Sequence, residues 1–446
     1  MPLPGYLAAS QPTPASARAP WYKNIAPSYA GIFLWFVFYI NIAAGTLNQA
    51  GIGLCLLALL VAGLLCFALY YYAPAMLGMQ TGRPLYVVGA STFGARGGYV
   101  MPGLLMGVLQ IGWFAVATYF AAQYITEGLH NQSRWLFVAI TIVWGYALAW
   151  VAIKGIRYVA RVAQFLNWVP LAMILIVFFA TRHGIAHYHP AAHHPGAAFA
   201  LILTMVIGFF ATAGAAGADF GINSRGRKDV AWGGLIGITL AVIIAGGLPL
   251  LSVAGAIGGG ATTSFVYTNT IATVGALSVA VFFLFAIASL VPTSFCCFIA
   301  SNSFGTMLPA VPKALSTLIA VTVGVILAAT GVVNNLIGFF TLVGASFGPI
   351  CGAMAADYLL AGRKWSGPRR GVNWPGYAAW AVGFFIGIMP SLHFMPAAWR
   401  SADNVAVLYS FFAGFIIYGV LAKLGLRTSL AQEAGTLAAT APSAVG

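Results

Sequence analysis

The chain has 446 residues, of which 61% are hydrophobic and only 6% are charged. Soluble domains carry roughly 25% charged residues, so this composition excludes a soluble protein built of several domains. The formal net charge of +14 does not indicate a nucleic-acid partner, because the Lys and Arg residues lie in short gaps between long apolar runs. Basic residues have that distribution in the loops of proteins that cross a lipid bilayer.

The apolar runs, taken in chain order, predict an all-α polytopic membrane protein. Residues 1–27 are rich in Pro, Ala and Ser, and we expect a cytoplasmic tail there rather than a cleaved signal peptide. A spanning helix needs about 20 mostly apolar residues. Twelve spans are expected at 28–49, 51–77, 99–128, 135–153, 158–181, 198–220, 231–257, 270–300, 314–331, 335–361, 376–392 and 404–424. Residues 426–446 are expected to form a second cytoplasmic tail.

The basic residues support this arrangement. With twelve spans and a cytoplasmic N-terminus, 17 of the 20 Lys and Arg residues fall on the cytoplasmic side, and only Arg134, Arg182 and Arg400 fall outside. Missing one span would destroy this asymmetry, so we predict a protein of the inner (plasma) membrane with both termini in the cytoplasm. Five of the seven histidines lie in the outer loop 183–194. That loop is either a polar, pH-sensitive surface or a metal-binding tract, although it contains no Cys or carboxylate.

Small and hydroxyl-bearing residues are concentrated at 41–46 in the first predicted span and at 208–217 in the sixth. Such stretches either allow close helix packing or unwind where they line a cavity. In the second case, freed carbonyls can bind an ion or a polar substrate near the middle of the membrane. The two stretches are five spans apart on helices of opposite direction, which favours an inverted repeat of two five-helix units and therefore a secondary transporter.

The eighth span contains Pro292 followed by Thr293 and Ser294. Proline frees a backbone carbonyl, and neighbouring hydroxyl groups suit a hard cation such as sodium, although a simple kink with hydroxyls bonded back to the helix remains open. The six acidic residues all lie at span ends or in loops. Since a proton-coupled carrier usually needs an ionisable group inside the membrane, their positions favour sodium coupling or uniport.

The third span places Gln110 and Trp113 near the middle of the membrane. A tryptophan face can stack on a planar heterocycle, and an amide can pair with the edge of the ring. The alternative is a packing aromatic whose N–H group bonds to a neighbouring helix. Both interpretations are compatible with the sequence.

Several segments in order carry a family resemblance: 78–82, 92–98, 110–114, 208–214 running into 218–220, and 348–352 running into 356–358. In these segments the chain resembles the nucleobase–cation symporter-1 family, in its cytosine permease-like branch. The resemblance implies a LeuT-like fold with a ten-helix transport core at 28–361, divided into repeats at 28–181 and 198–361. Two additional helices at 376–425 would follow. It also implies uptake of nucleobases or related heterocycles, often coupled to sodium or protons.

The resemblance also implies roles for individual residues. Trp113 would be the stacking residue of span three and Phe210 its partner on span six, so that the two rings sandwich a flat substrate. The other substrate-binding residues implied by position are Gln110, Phe209, Ala211, Ala213 and Cys296.

The implied sodium site combines the first and eighth spans. Its ligands would come from Asn41, Ala44, Thr293 and Ser294. Cytosine permeases have a stretch resembling Thr-Thr-Asn-Asp-Asn in span eight, whereas residues 292–296 here read Pro-Thr-Ser-Phe-Cys. One hydroxyl position is kept and the acid and amides are absent, which leaves open a more apolar ligand or a different coupling ion.

Together these observations predict a secondary active transporter that imports a nucleobase, such as cytosine or a related pyrimidine or purine, or a similar planar heterocycle, by alternating access. We expect no cofactor, with sodium as the coupling ion. A proton-coupled or uncoupled heterocycle carrier and an amino-acid carrier of the same fold remain alternatives. A membrane enzyme is disfavoured because the sequence offers no catalytic constellation facing a cavity, and a channel, which would show no concentrative uptake, is also less expected.

Overall fold

The computed structural model describes residues 3–154, 166, 168–308, 310–401 and 404–431. Within these ranges the chain is helical, with two isolated β-bridges and no strand. Eight helices are long and apolar enough to cross a membrane, and two shorter apolar helices cover Arg134–Trp150 and Ala314–Thr330. The prediction of an all-α polytopic membrane protein is confirmed.

Each predicted span coincides with one helix or with consecutive helices, and we keep the span numbers one to twelve. Span one consists of Ile25–Phe33 and Phe36–Tyr39. Spans two to six cover Ile52–Thr81, Gly97–Gly128, Arg134–Lys154, Trp168–His187 and Pro195–Ala215. Spans seven to twelve cover Arg227–Gly258, Leu277–Met307, Lys313–Thr330, Leu336–Leu360, Trp374–Ile388 and Ala406–Lys423. The arrangement is consistent with twelve spans; the predicted start of span five, at residue 158, lies outside the described residues.

Shorter elements connect these spans. Short α-helices lie at Gly5–Ala8, Leu85–Val88, Ala90–Phe93, Gly217–Gly221 and Tyr267–Ala272. Single 3-10 turns lie at Ala15–Ala17, Trp21–Lys23, Val332–Asn334, Met389–Ser391 and Ala397–Arg400. Spans two, three and seven each contain a π-helical stretch, at Cys66–Tyr71, Val100–Leu104 and Leu235–Leu240. Such stretches are frequent at functional sites.

The predicted first span, 28–49, leaves the α-helix at two places, at residues 34–35 and along the segment 41–46. The helix stops after Phe33, and Trp35 is extended (φ −69°, ψ 126°) before the second half begins at Phe36. Residues 41–46 form turns, in which the Thr46 hydroxyl donates to the carbonyl of Ile42 at 2.6 Å. An aromatic residue therefore marks the first of these places, and the small residues mark the second.

Spans six and eight are interrupted as well. In span six the small residues mostly stay helical, and a Cβ atom at Gly208 would lie 2.4 Å from the carbonyl oxygen of Phe340 in span ten, so this glycine serves close helix packing. Only Ala216 (ψ −2°) separates the main helix from Gly217–Gly221. In span eight the break falls at Ser289 (ψ −14°), before Pro292.

Spans ten, eleven and twelve form a closely packed group. A Cβ atom at Gly352 would lie 2.1 Å from the carbonyl oxygen of Phe411, and one at Gly383 would lie 2.5 Å from the Cβ atom of Pro349. Glycine at these positions allows the helix axes to approach closely. The division of the chain into a ten-helix core and two additional helices stays a prediction.

Both ends of the described chain lie at the same end of the molecule, which we call the termini end. The N-terminal segment 3–24 crosses it: the Tyr6 hydroxyl donates to the carbonyl of Ala95 at 2.7 Å, and the Ala19 N–H to that of Asn223 at 2.7 Å. The C-terminal segment is held there too, because the Ala431 N–H donates to Pro368. This placement is consistent with an even number of spans.

A polar network also lies at the termini end, around the buried carboxylate of Asp357. This carboxylate accepts a hydrogen bond of 2.7 Å from the Tyr418 hydroxyl and lies 3.8 Å from both Arg369 and Arg427. Arg369 also donates to the carbonyl of Ser91 at 2.9 Å. The network therefore joins span ten to span twelve and to the loop between spans two and three.

Candidate functional site

Trp113 of span three lies at the centre of a cluster of aromatic rings between spans one, six and ten. Its ring centroid is 5.2 Å from that of Phe209, 4.9 Å from Phe339, 5.8 Å from Phe340 and 5.6 Å from Trp35. These separations are typical of favourable aromatic pairs. The rings form a large apolar surface in the middle of the helix bundle, next to the interruption of span one.

The N–H group of Trp113 is bonded inside the cluster. Its Nε1 atom donates to the Oγ1 atom of Thr212 in span six at 3.1 Å. This hydrogen bond fixes the orientation of the Trp113 ring. Because the N–H group is used, a ligand can contact Trp113 only through the faces of the ring. Gln110 lies slightly less than one turn before it, is buried, and donates from Nε2 to the sulfur of Met106 at 3.5 Å. A thioether is a weak acceptor, so this amide gains little from its present contact.

The two phenylalanines of span six point to different neighbours. The ring of Phe209 packs edge-on against Trp113, whereas Phe210 stacks on Phe33 at 5.5 Å and lies 5.5 Å from Tyr29. The structure thus brings Phe209 to Trp113 and directs the ring of Phe210 toward the first half of span one. The expected sandwich of Trp113 and Phe210 is not the ring pair formed in this conformation.

Of the remaining residues expected at the substrate, Ala211 and Cys296 are buried and Ala213 is half-buried. The carbonyl of Ala213 accepts from the Tyr29 hydroxyl at 2.9 Å, and that of Ala211 lies 4.0 Å from the sulfur of Cys351. These carbonyls therefore already have protein neighbours. Cys296 is buried in the second half of span eight.

A small cavity of about 10 Å³ lies where the interruptions of spans one and eight approach each other. A space of roughly 10–15 Å³ holds one water-sized sphere, so the cavity has room for a single small group. It is lined by Gly31, Trp35, Phe36, Leu166, Pro170, Ala288 and Pro292.

The predicted sodium ligands are divided between this region and the turns that follow span one. Thr293 is next to Pro292, and its hydroxyl donates to the carbonyl of Ser289 at 2.6 Å, while Ser294 is buried beside it. Asn41 and Ala44 lie in the turns at 40–50, beyond the second half of span one. Trp35, rather than Asn41 or Ala44, marks the interruption that faces span eight.

The histidine-rich loop is attached to the turns after span one through its backbone. The Ala192 N–H donates to the carbonyl of Asn48 at 2.9 Å, and that of His194 to Gln49 at 3.0 Å. Across the described part of the chain, no group of three His, Cys, Asp or Glu side chains could hold a metal ion. The loop therefore has no metal site among these residues.

Three residues of the aromatic cluster were not expected from the sequence. Trp35 lies in the aromatic run 33–39, and Phe339 and Phe340 lie near the start of span ten. A run of aromatic residues in the first half of a broken span is a signal that could have indicated Trp35. Nothing in the local sequence distinguishes Phe339 and Phe340 from aromatic residues that face lipid.

Comparison with known proteins supports a transporter. No protein-family model matches the chain. Cytosine permease of Escherichia coli strain K12 is 24% identical over 400 residues, covering 86% of this chain and 88% of the permease. Cytosine permeases of two other Escherichia coli strains match to the same extent.

Among solved structures, Mhp1, a nucleobase-cation-symport-1 family transporter in a closed conformation with bromovinylhydantoin bound, superposes with a TM-score of 0.71 at 16% identity. It covers 97% of this chain and 100% of Mhp1. A sodium-coupled sialic acid symporter in its substrate-bound outward-open state gives a TM-score of 0.58 at 12% identity, covering 93% and 92%. The predicted LeuT-like transporter fold and the resemblance of this chain to the nucleobase–cation symporter-1 family are both confirmed by these comparisons.

Proposed function

We propose that this protein is a secondary transporter that imports a nucleobase or a similar planar heterocycle by alternating access. The observation that carries this proposal is the cluster of rings around Trp113, which lies where span one is interrupted and where spans three, six and ten converge. Flat ligands are held well by aromatic faces. Binding sites near the middle of the membrane, at broken helices, are the rule in transporters built from inverted repeats.

The relatives support this class of substrate. One is a cytosine permease and the other is a symporter with a hydantoin bound. Both ligands are small planar rings with carbonyl and N–H groups at their edges. Cytosine or a related pyrimidine or purine is therefore our first candidate for this chain.

Sodium is the coupling ion that we propose. The cavity between Trp35 and Pro292 has room for one small group. Thr293 and Ser294 directly follow Pro292 in the sequence. A sodium-coupled symporter is among the proteins of similar fold. Since oxygen ligands suit hard cations, a carbonyl freed near Pro292 and these two hydroxyls are the expected donors.

We propose further that the protein lies in the inner (plasma) membrane with both termini in the cytoplasm. The order of the spans assigns 17 of the 20 Lys and Arg residues to one side of the membrane. Such an excess is typical of the cytoplasmic side and supports this orientation. The termini end would then face the cytoplasm, and the histidine-rich loop would face outward.

The test is uptake by cells that lack their own nucleobase transporters and express this chain. Radiolabelled cytosine, uracil, hypoxanthine, hydantoin and a set of amino acids are offered with and without sodium. We expect concentrative, saturable uptake of at least one heterocycle and its loss in Trp113→Ala, with Trp135→Ala as the matched control because Trp135 is 84% exposed. Uptake of an amino acid alone, or heterocycle uptake that survives Trp113→Ala, would contradict the proposal.

A further inference from the structure

Trp35 combines burial with an unsatisfied hydrogen-bond donor. The residue is 7% exposed, yet its indole Nε1 atom is buried and has no hydrogen-bond partner among the described residues. A buried donor without an acceptor loses its hydration and gains nothing in return. In native proteins such a group calls for an explanation, and one explanation is a ligand that supplies the acceptor.

The neighbouring tryptophan shows the contrast. Trp113 lies 5.6 Å from Trp35, ring centroid to ring centroid, and its N–H is satisfied by Thr212 at 3.1 Å. The two indoles therefore share one site but present different groups to it. Trp113 offers ring faces, while Trp35 offers a donor that has no partner in the described part of the chain.

Three aromatic rings lie around Trp35. Its ring neighbours are Phe36 at 6.4 Å and Phe209 at 6.2 Å, besides Trp113. Trp35 also lines the small cavity that reaches Pro292. An N–H group cannot ligate a cation, so its natural complement is a carbonyl oxygen or an unprotonated ring nitrogen.

The backbone holds Trp35 at a place where a donor can be effective. Its extended conformation (ψ 126°) separates the two helices of span one, so the side chain is presented at the interruption itself. The Trp35 carbonyl still accepts from the Phe38 N–H at 3.0 Å, which fixes the residue at the start of the second half of the span. The donor is thus positioned by the fold before any ligand arrives.

We propose that Trp35 determines the substrate specificity of the site. Its indole N–H donates to a carbonyl oxygen or ring nitrogen at the edge of a heterocycle that lies against Trp113 and Phe209. This inference rests on the proposed function and makes it more specific, since the substrate must be a flat ring that carries an acceptor on the edge facing span one. A flat hydrocarbon of the same size lacks that acceptor and is rejected.

The experiment compares ligands and a variant on the purified full-length protein in proteoliposomes. The variant Trp35→Phe keeps an aromatic ring and removes the N–H, and Trp135→Phe is the matched control. Three probes compete for binding: cytosine, 4-aminopyrimidine, which lacks the carbonyl oxygen, and 4-amino-2-pyridone, which lacks the ring-nitrogen acceptor.

We expect Trp35→Phe to lower the affinity for cytosine about tenfold, which corresponds to the loss of one neutral hydrogen bond. One of the two analogues should bind equally to the wild type and to Trp35→Phe, because it lacks the acceptor that Trp35 uses. Equal weakening of all three probes, or no weakening of any, overturns the inference. If the wild type binds no heterocycle at all, the proposed function itself fails, and the two failures are therefore distinguishable.

A second measurement does not depend on the affinity of the variant. Protein labelled with ¹⁵N in the tryptophan indoles gives a resonance for Trp35, identified by its loss in Trp35→Phe. Saturating cytosine should move this resonance downfield and leave that of Trp135 in place. An unmoved Trp35 resonance at saturation contradicts a hydrogen bond to the ligand.

Discussion

The aromatic cluster in the middle of the bundle and the polar network at the termini end are held together by opposite means. Around Trp113 the described contacts are mainly between aromatic rings. The indole of Trp113 itself makes one described hydrogen bond, to the hydroxyl of Thr212. Around Asp357 the contacts are directional, with the Tyr418 hydroxyl and two guanidinium groups on one carboxylate. Directional side-chain contacts are therefore concentrated away from the candidate substrate site.

This difference suits alternating access. Aromatic pairs have more than one favourable geometry, offset-stacked or edge-to-face, so one arrangement can replace another around a ligand. Charge-assisted hydrogen bonds in a buried setting are strong only in one geometry. We therefore expect the termini end to keep its contacts during transport and the ring cluster to rearrange.

The largest expected effect comes from removing the Asp357 carboxylate at the centre of the polar network. Asp357→Ala leaves Arg369 and Arg427 without their carboxylate, and breaking a buried ion pair in this way costs about 3–5 kcal/mol. We expect a large fall in the thermal stability of the detergent-solubilised protein. Glu127→Ala, at the end of span three, is the control and should change stability little. Equal stability of Asp357→Ala and wild type would show that the network does not hold this end.

The next test separates the two neighbouring rings of span six. Phe209→Ala removes a ring that packs on Trp113 and should weaken heterocycle binding about 30-fold, an effect of roughly 2 kcal/mol that is typical of an aromatic anchor. Competition binding on purified protein measures it.

Phe210→Ala is the matched variant for that test. This ring stacks on Phe33, so its removal should lower thermal stability, while the folded fraction binds the ligand nearly as the wild type does. If Phe210→Ala loses binding and Phe209→Ala keeps it, the sandwich with Phe210 forms in the bound state and the present ring pair does not describe the site.

A smaller effect is expected from the hydrogen bond that orients Trp113. Thr212→Val keeps the shape of the side chain and removes the acceptor, which leaves the Trp113 N–H unsatisfied at a cost of about 1 kcal/mol or slightly more. We expect a KM for heterocycle uptake several-fold higher with little change in the amount of folded protein. Thr212→Ser, which retains the hydroxyl, should restore the wild-type KM; a Thr212→Val variant with an unchanged KM would show that this bond is dispensable.

The smallest effect concerns the N-terminal segment. Burial raises the pKa of the Tyr6 hydroxyl well above its ordinary value, so it keeps the proton that it donates to the carbonyl of Ala95. Tyr6→Phe should cost about 1 kcal/mol at most, measured as a small decrease in melting temperature. Tyr22→Phe, at an exposed side chain, is the control; a larger fall in Tyr22→Phe than in Tyr6→Phe would contradict the contact.

The spans were predictable from the sequence because length and hydropathy are local properties of the chain. The interruption of span one was not predicted at its true place. Small residues at 41–46 suggested a break, and these residues do form turns, but the helix is also broken earlier, at Trp35, whose ring contacts Trp113 and Phe209. Contacts between distant segments cannot be read from the local sequence.

The candidate site shows the same division. Trp113 was singled out in the sequence by its position in the middle of a span, and in the structure it lies at the centre of the ring cluster. The choice between Phe209 and Phe210 was not resolved, because adjacent helical positions point about 100° apart and a family resemblance by position does not fix the rotation of the helix. Phe339 and Phe340 were missed for a similar reason, since only the packing of span ten brings them to Trp113.

Ligand binding to the purified protein tests most directly whether the rings around Trp113 form the substrate site. Radiolabelled cytosine is titrated against the wild type, Trp113→Ala and Trp135→Ala in sodium-containing buffer, with monodispersity checked for each protein. We predict saturable binding to the wild type and to Trp135→Ala, and at least about 30-fold weaker binding to Trp113→Ala. Equal affinity of Trp113→Ala and the wild type would contradict it.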